Sequence, residues 1–351
     1  MEADFIPGLE LSRQFYWEVV RPLLDEHFPG LLHSAALIGV GSEVLGYDTA
    51  RSTDHDWGPR VMLFLTENDH SAQAAAVEAL LRASLPETFL GYPVAPSNQT
   101  HEAQGFDLLT THGYVLRYLG FDLAGPLEPA DWVTFSEQKL LSLTRGAVFW
   151  DEIGLEDVRR RFAYYPHDVW LYLLAAGWTR IGQEEHLMGR AGQVGDEVGS
   201  AIIAARLVRD LMRLWFLMEK QYAPYPKWFG TAFAHLPEAG NLCPLFQKVL
   251  AAKTWPERQE HLAQAYELTA ARHNRLGITN PLSEKCSFFY DRPFLVIGGK
   301  TFADALYERI TDPAVKKWDN NRLIGGLDQF SDSTDLIADE RRRKTLKHLY
   351  D

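Results

Sequence analysis

Apolar residues recur at helical spacing from Leu11 to Phe28, with Leu11, Phe15, Val19 and Leu23 on one face and a stop before Pro29-Gly30. Pro22 is placed to kink or divide that helix, because proline removes a ladder donor. The run Ala35-Ala36-Leu37-Ile38-Gly39-Val40 reads as a short strand ending in Gly41-Ser42. Val61 to Leu65 reads as a buried strand, and the Ala/Leu-rich stretch Ser71 to Ala83 as a helix. Phe89 to Val94, Gly113 to Leu119 and Ala147 to Trp150 predict further strands, the last followed by a turn at Asp151-Glu152-Ile153-Gly154.

Beyond about Asp157 the pattern changes. Asp168 to Gly189 and Asp196 to Tyr222 predict two long helices, with more over Leu245 to Ala252 and Trp255 to Asn274. Strand signals return only at Phe294-Leu295-Val296-Ile297. The expected fold class is therefore α+β, with a mixed-sheet domain over residues 1–157 and a mostly helical domain over 158–351. No repeat, low-complexity tract or Pro/Gly-rich linker separates them, and clefts between domains are common ligand sites.

Composition narrows the function classes. The 351 residues carry 35 Lys+Arg against 47 Asp+Glu, a net charge of −12, which argues against sequence-blind binding of nucleic acid. Cys243 and Cys286 are too few for a disulfide framework or a Cys-rich zinc site, and they fit a reducing compartment. The start, Met1-Glu2-Ala3-Asp4-Phe5, lacks the basic and apolar regions of a signal peptide, and no apolar run reaches membrane-spanning length. A soluble cytoplasmic protein is expected, with no membrane partner and an oligomeric state the sequence leaves open.

The segment Gly41 to Arg60 carries the chemistry. Gly41 lets backbone approach a ligand closely, and Ser42 offers a hydroxyl near free backbone N–H groups. Asp54 and Asp56 lie two apart just before the apolar strand, where alternate residues share a face roughly 7 Å apart. Two carboxylates so held can bridge divalent cations, and two such cations can hold a triphosphate. Asp-x-Asp is also a common turn. The order is more specific: strand, Gly-Ser, Gly46 four residues on, then Ser52-x-Asp54-x-Asp56, then strand.

That order resembles the nucleotidyltransferase superfamily related to DNA polymerase beta, over about residues 35 to 66. The resemblance implies a nucleotidyltransferase-type mixed sheet, phosphate contacts from Gly41, Ser42 and Ser52, and magnesium held by Asp54 and Asp56. Tyr164-Tyr165-Pro166-His167-Asp168-Val169-Trp170, Gly195-Asp196 and Tyr222-Ala223-Pro224-Tyr225-Pro226-Lys227-Trp228 are similar to a bacterial family of two-domain nucleotidyltransferase-like proteins, domain of unknown function 4037. Many members of the superfamily carry a third carboxylate on a central strand. Here the strand expected at His112 to Leu119 has none, and Asp107 and Asp122 only flank it. Either another residue supplies the base or transfer is lost. Related aminoglycoside-modifying enzymes take their base from the helical domain.

In that domain Leu171, Leu174, Trp178, Ile181 and Met188 form an apolar stripe, and Glu185 lies on it. A buried carboxylate is costly unless paired, and its raised pKa suits a general base. Glu185 is either such a base, facing the cleft, or a helix-end residue paired to Arg190. Glu184 is expected to pair with Arg180, and Arg206 with Asp210, each at i,i+4 spacing. Lys227, in the turn Tyr225-Pro226-Lys227-Trp228, either reaches a phosphate or sits in solvent. Arg60 either neutralises phosphate or caps the strand. Arg180 and His186 loosely resemble the Arg-His motif of HEPN ribonucleases. No Walker A loop, Gly-x-Gly-x-x-Gly fingerprint, Gly-x-Ser-x-Gly elbow or His-Glu-x-x-His signature occurs.

The expected function is magnesium-dependent transfer of a nucleoside monophosphate from an NTP, with ATP the expected donor, to a hydroxyl of a small-molecule acceptor. The alternatives are a nucleotide sensor that has lost transfer, and a toxin–antitoxin-type modifier of protein or RNA.

Overall fold

The structure, a computed structural model, describes residues 5–54, 57–94, 105–318 and 322–351. It divides into two compact units: Met1–Pro126 with Lys139–Ala163, and Leu127–Gln138 with Tyr164–Asp351. The expected division at 157/158 falls six residues short of the last crossing, and the stretch 127–138 joins the second unit.

The first unit is built on a four-stranded sheet, with a two-stranded ribbon beside it in sequence. β1 is His33–Leu37, β2 is Val61–Leu65, β3 and β4 are the two-residue strands Thr88–Phe89 and Tyr92–Pro93, β5 is Phe106–Thr110 and β6 is Ala147–Asp151. The main sheet runs β5-β2-β1-β6, with β3 and β4 forming a separate ribbon. β1 is antiparallel to β2 and to β6, and β2 is parallel to β5. Every residue of β1 and β2 is buried. Helices cover both faces of these central strands, which explains why the sequence shows apolar runs rather than alternation. On one side Leu63 and Leu65 join Leu11, Phe15, Val77 and Leu81 in a single core. On the other, Phe64 meets Tyr114 edge-on at 5.6 Å between ring centres.

The first helix is divided as Pro22 predicts. Gly8–Phe15 and Arg21–His27 are α-helical, and the turn Tyr16–Val20 between them is π-helical. Proline cannot donate to the ladder, and the winding just before it is looser. The helix expected over Ser71 to Ala83 extends to Glu67–Ser84, capped by the Thr66 hydroxyl, which accepts from the Asp69 N–H.

One expected strand is a helix. Residues Thr111–Leu119 are α-helical, and the strand lies just before them at Phe106–Thr110. The Thr110 hydroxyl accepts from the Gly113 N–H as an N-cap, and Gly120 ends the helix in the left-handed conformation. Tyr114, Val115 and Leu119 are buried together, which is helical spacing.

The second unit is mostly helical. Its longest elements are His167–Glu184, Glu197–Met218 and Trp255–Arg275. The helix expected over Asp168 to Gly189 ends at Glu184, and a separate one runs Leu187–Gln193. Strand signal at Phe294 to Ile297 yields only the two-residue pairing of Ser287–Phe288 with Leu295–Val296. The helix Gly299–Tyr307 packs closely on His167–Glu184, with Trp178 stacked on Phe302 at 4.2 Å. A Cβ on Gly182 would stand 2.8 Å from the Lys300 nitrogen, so only glycine allows this approach of backbones. Among the described residues, no helix is long and apolar enough to cross a membrane.

Candidate functional site

The strand register gathers the informative residues at one end of the sheet. Ala36 pairs with Met62, so the C-terminal end of β1 lies beside the N-terminal end of β2. Val61 pairs with Phe106 and Leu37 with Ala147, so β5 and β6 also begin there. Gly41-Ser42 follows β1, the aspartate segment precedes β2, Asp107 is the second residue of β5, and Arg145 stands just before β6.

Gly41 has φ 144°, and a Cβ on it would collide with the Glu43 carboxylate. Glycine is therefore required at this turn. Ser42 opens the one-turn helix Ser42–Leu45 and is half-buried. Glu43 is buried and paired to the Arg60 guanidinium, whose Nη2 also donates to the Val40 carbonyl at 2.9 Å. Burial pushes the Glu43 carboxyl up, and Arg60 opposes that shift. Of the two expectations for Arg60, the structural one describes what it touches. Asp48 accepts from the Gly8 N–H at 2.7 Å and from Trp57 Nε1 at 3.0 Å, tying the loop to the first helix.

Ser52 lies in the 3-10 turn Ala50–Asp54, where its hydroxyl accepts from the Thr49 N–H at 3.0 Å. Asp54 ends the same turn, so its backbone is helical rather than the expected strand, and β2 begins only at Val61. The Asp54 side chain and the whole of His55 and Asp56 lie outside the described residues. Among the described residues no group of three or more His, Cys, Asp or Glu side chains is placed to hold a metal ion.

Asp107, which only flanks the strand expected at His112 to Leu119, lies on the observed strand Phe106–Thr110. On β5 it pairs in register with Met62 and is exposed. It takes part in no ion pair or hydrogen bond among the described residues. The signal was in the sequence: Phe106-Asp107-Leu108-Leu109 follows Gly105 and precedes the capping Thr110.

The carboxylate singled out in the second unit is occupied otherwise than expected. Glu185 is 6% exposed, and its oxygens accept from the N–H groups of Ile297 at 2.7 Å, Gly298 at 3.2 Å and Gly299 at 3.2 Å. Burial pushes its carboxyl up, and the three N–H donors pull it back. These donors lead into the Gly299–Tyr307 helix, whose first N–H groups need acceptors. Glu185 thus joins two helices through these N–H groups rather than through Arg190, the partner in one of the two roles expected of it, the other being a general base.

The arginines also pair with acids far along the chain rather than within their own helix. Arg180 meets Asp210 at 3.1 Å, Arg206 meets Glu184, Arg209 meets Asp332, and Arg213 stands 3.8 Å from Glu137. Packed helices bring these groups closer than the i,i+4 partners the sequence offered. His186 stacks on Phe289 at 4.3 Å, while Arg180 is held by Asp210, so the Arg-His pair is not assembled as a unit. Lys227 is exposed in the first turn of Pro226–Ala234, with Nζ 4.9 Å above the Trp228 ring.

Residues 132–229 match the family described as "Domain of unknown function (DUF4037)". The matched segment contains Tyr164 to Trp170 and Tyr222 to Trp228, on which that likeness was expected. It stops short of Gly41 to Arg60. No curated protein and no solved structure matches the chain.

Proposed function

We propose that the chain is a magnesium-dependent nucleotidyltransferase that moves a nucleoside monophosphate from ATP to a hydroxyl of a small-molecule acceptor. What supports this reading most is that, at one sheet end, the Gly41-Ser42 turn meets the start of β2, which the Asp54-x-Asp56 motif precedes in sequence, and the exposed carboxylate of Asp107. The donor chemistry fits magnesium, which takes oxygen ligands. Asp107 offers an exposed carboxylate there with no ion pair among the described residues, while Glu43 is already taken by Arg60. Asp54 and Asp56 would hold the metal, which would neutralise polyphosphate charge. Ser42 and the turn before it bind phosphate oxygens. Asp107 accepts the proton of the acceptor hydroxyl as its oxygen bonds to the α-phosphorus. The α–β anhydride bond breaks and pyrophosphate leaves with that bond's electron pair. The work is orientation and charge stabilisation.

A carboxylate on β5, that of Asp107, supports transfer over the sensor alternative. The test is pyrophosphate release from labelled NTPs with magnesium, against pooled metabolites, tRNA and cell protein. Release that disappears in Asp54→Asn supports transfer. Nucleotide binding without release under any acceptor favours the sensor, and no nucleotide binding rejects both.

A further inference from the structure

Arg145 stands at the same sheet end, on a backbone held from three sides. Its N–H donates to the Leu141 carbonyl at 2.7 Å, its carbonyl accepts from Arg159 Nη2 at 2.8 Å, and the next N–H, of Gly146, donates to the Val44 carbonyl at 2.9 Å. The buried Arg159 guanidinium also takes the carbonyls of Leu143 at 3.0 Å and Thr144 at 2.9 Å. It thereby satisfies the C-terminal end of the Glu137–Thr144 helix. Its own charge is matched by Glu156.

The Arg145 side chain is treated differently. It is exposed and makes no ion pair or hydrogen bond among the described residues. Two described acids beside the Gly41-Ser42 turn are engaged elsewhere, Glu43 by Arg60 and Asp48 by Gly8 and Trp57. The neighbour of Arg145 on that side is Tyr47, whose N–H donates to the Ser42 carbonyl at 2.9 Å. The Arg145 charge draws the Tyr47 phenol back down against the upward push of burial. A guanidinium with no ion pair among the described residues, on a fixed backbone one residue from the bond to the Ser42–Leu45 helix, is a preorganised receptor for phosphate oxygens.

We infer that Arg145 binds the β- and γ-phosphates of the nucleotide and selects triphosphates over monophosphates at this site. The inference rests on the proposed nucleotidyl transfer for the identity of the ligand. A triphosphate carries about two more negative charges than a monophosphate, so a cation on the outer phosphates discriminates between them.

The test is titration of the full chain, with magnesium, by ATP and by AMP, comparing wild type with Arg145→Gln and Arg145→Lys. Arg145→Gln is expected to weaken ATP roughly tenfold or more and to leave AMP within about twofold, with Arg145→Lys intermediate. The melting temperature should not move, because the backbone contacts remain. Unchanged ATP affinity in Arg145→Gln overturns the assignment while leaving nucleotide binding intact. Equal weakening of ATP and AMP also overturns it, since the side chain would then not read the outer phosphates. Failure of wild type to bind ATP at all rejects the proposed transfer, and this inference with it.

Discussion

Glu185 and Asp107 are both carboxylates next to strand or helix termini, and they are treated in opposite ways. Glu185 is buried and takes three backbone N–H groups. Asp107 is exposed on β5 with no partner among the described residues. The same contrast separates their surroundings. In the helical unit Arg180, Arg206, Arg209 and Arg258 each have an acidic partner on another element. At the sheet end of the first unit, Asp107 and Arg145 make no ion pair among the described residues. A satisfied buried charge holds structure together, whereas an unsatisfied exposed one on a rigid strand end is available for chemistry.

The sharpest way to break this contrast is at Asp107. Asp107→Asn should reduce transfer by about a hundredfold or more, the scale of losing one preorganised group at a reacting centre. It should leave the melting curve in place, because exposed substitutions seldom cost more than about 0.5 kcal/mol. A variant of full activity would make Asp107 an ordinary surface acid.

The converse holds at Glu185. Glu185→Ala strips the acceptor from three N–H groups, two of them buried. A loss of roughly 2–3 kcal/mol of stability is expected, as buried donors without partners are costly. Transfer per folded molecule should be unchanged. Intact stability with lost transfer would restore Glu185 as a base.

A smaller effect tests the helical unit through pH. Glu137 and Asp328 face one another in its interior, where the Asp328 carboxylate accepts the Glu137 N–H at 2.8 Å and the Glu137 carboxylate accepts the Ala223 N–H at 2.8 Å. Burial raises both carboxyls, their mutual repulsion adds to the rise at Glu137, and Arg213 opposes it. The folded state therefore holds a proton that the unfolded chain releases near its ordinary value of 4.5. This pair's contribution to stability should be fully present below that value and be lost as pH climbs toward neutrality. Urea unfolding at a series of pH values should show a loss of on the order of 1–2 kcal/mol, flattened in Glu137→Gln. A wild-type slope no different from that of Glu137→Gln across that window would contradict the buried pair.

The smallest effect is expected at Lys227. Lys227→Ala removes an exposed cation from above Trp228 and should cost about 0.5–1 kcal/mol at most, measured by thermal unfolding. A large rise in KM for ATP would instead return Lys227 to the phosphate site.

Much of the fold was legible because apolar runs report burial. Val61 to Leu65, the division of the first helix at Pro22 and the long helices after Asp168 all follow from pattern and punctuation. Gly113 to Leu119 misled because a short apolar run fits strand or helix equally, and the decisive signs were the capping Thr110 and terminal Gly120. That one slip placed Asp107 beside the strand rather than on it.

By itself the sequence determined which side chains are buried, and that Gly41, Ser42, Asp54 and Asp56 stand in one local order between two strands. Only the tertiary structure decided which partners the charged groups take and which strand ends meet. Glu185 reaches residues 297–299, and Asp107 comes beside Met62 through register. Local pattern encodes whether a residue faces the core, but a partner over a hundred residues away is chosen by packing, which no periodicity records.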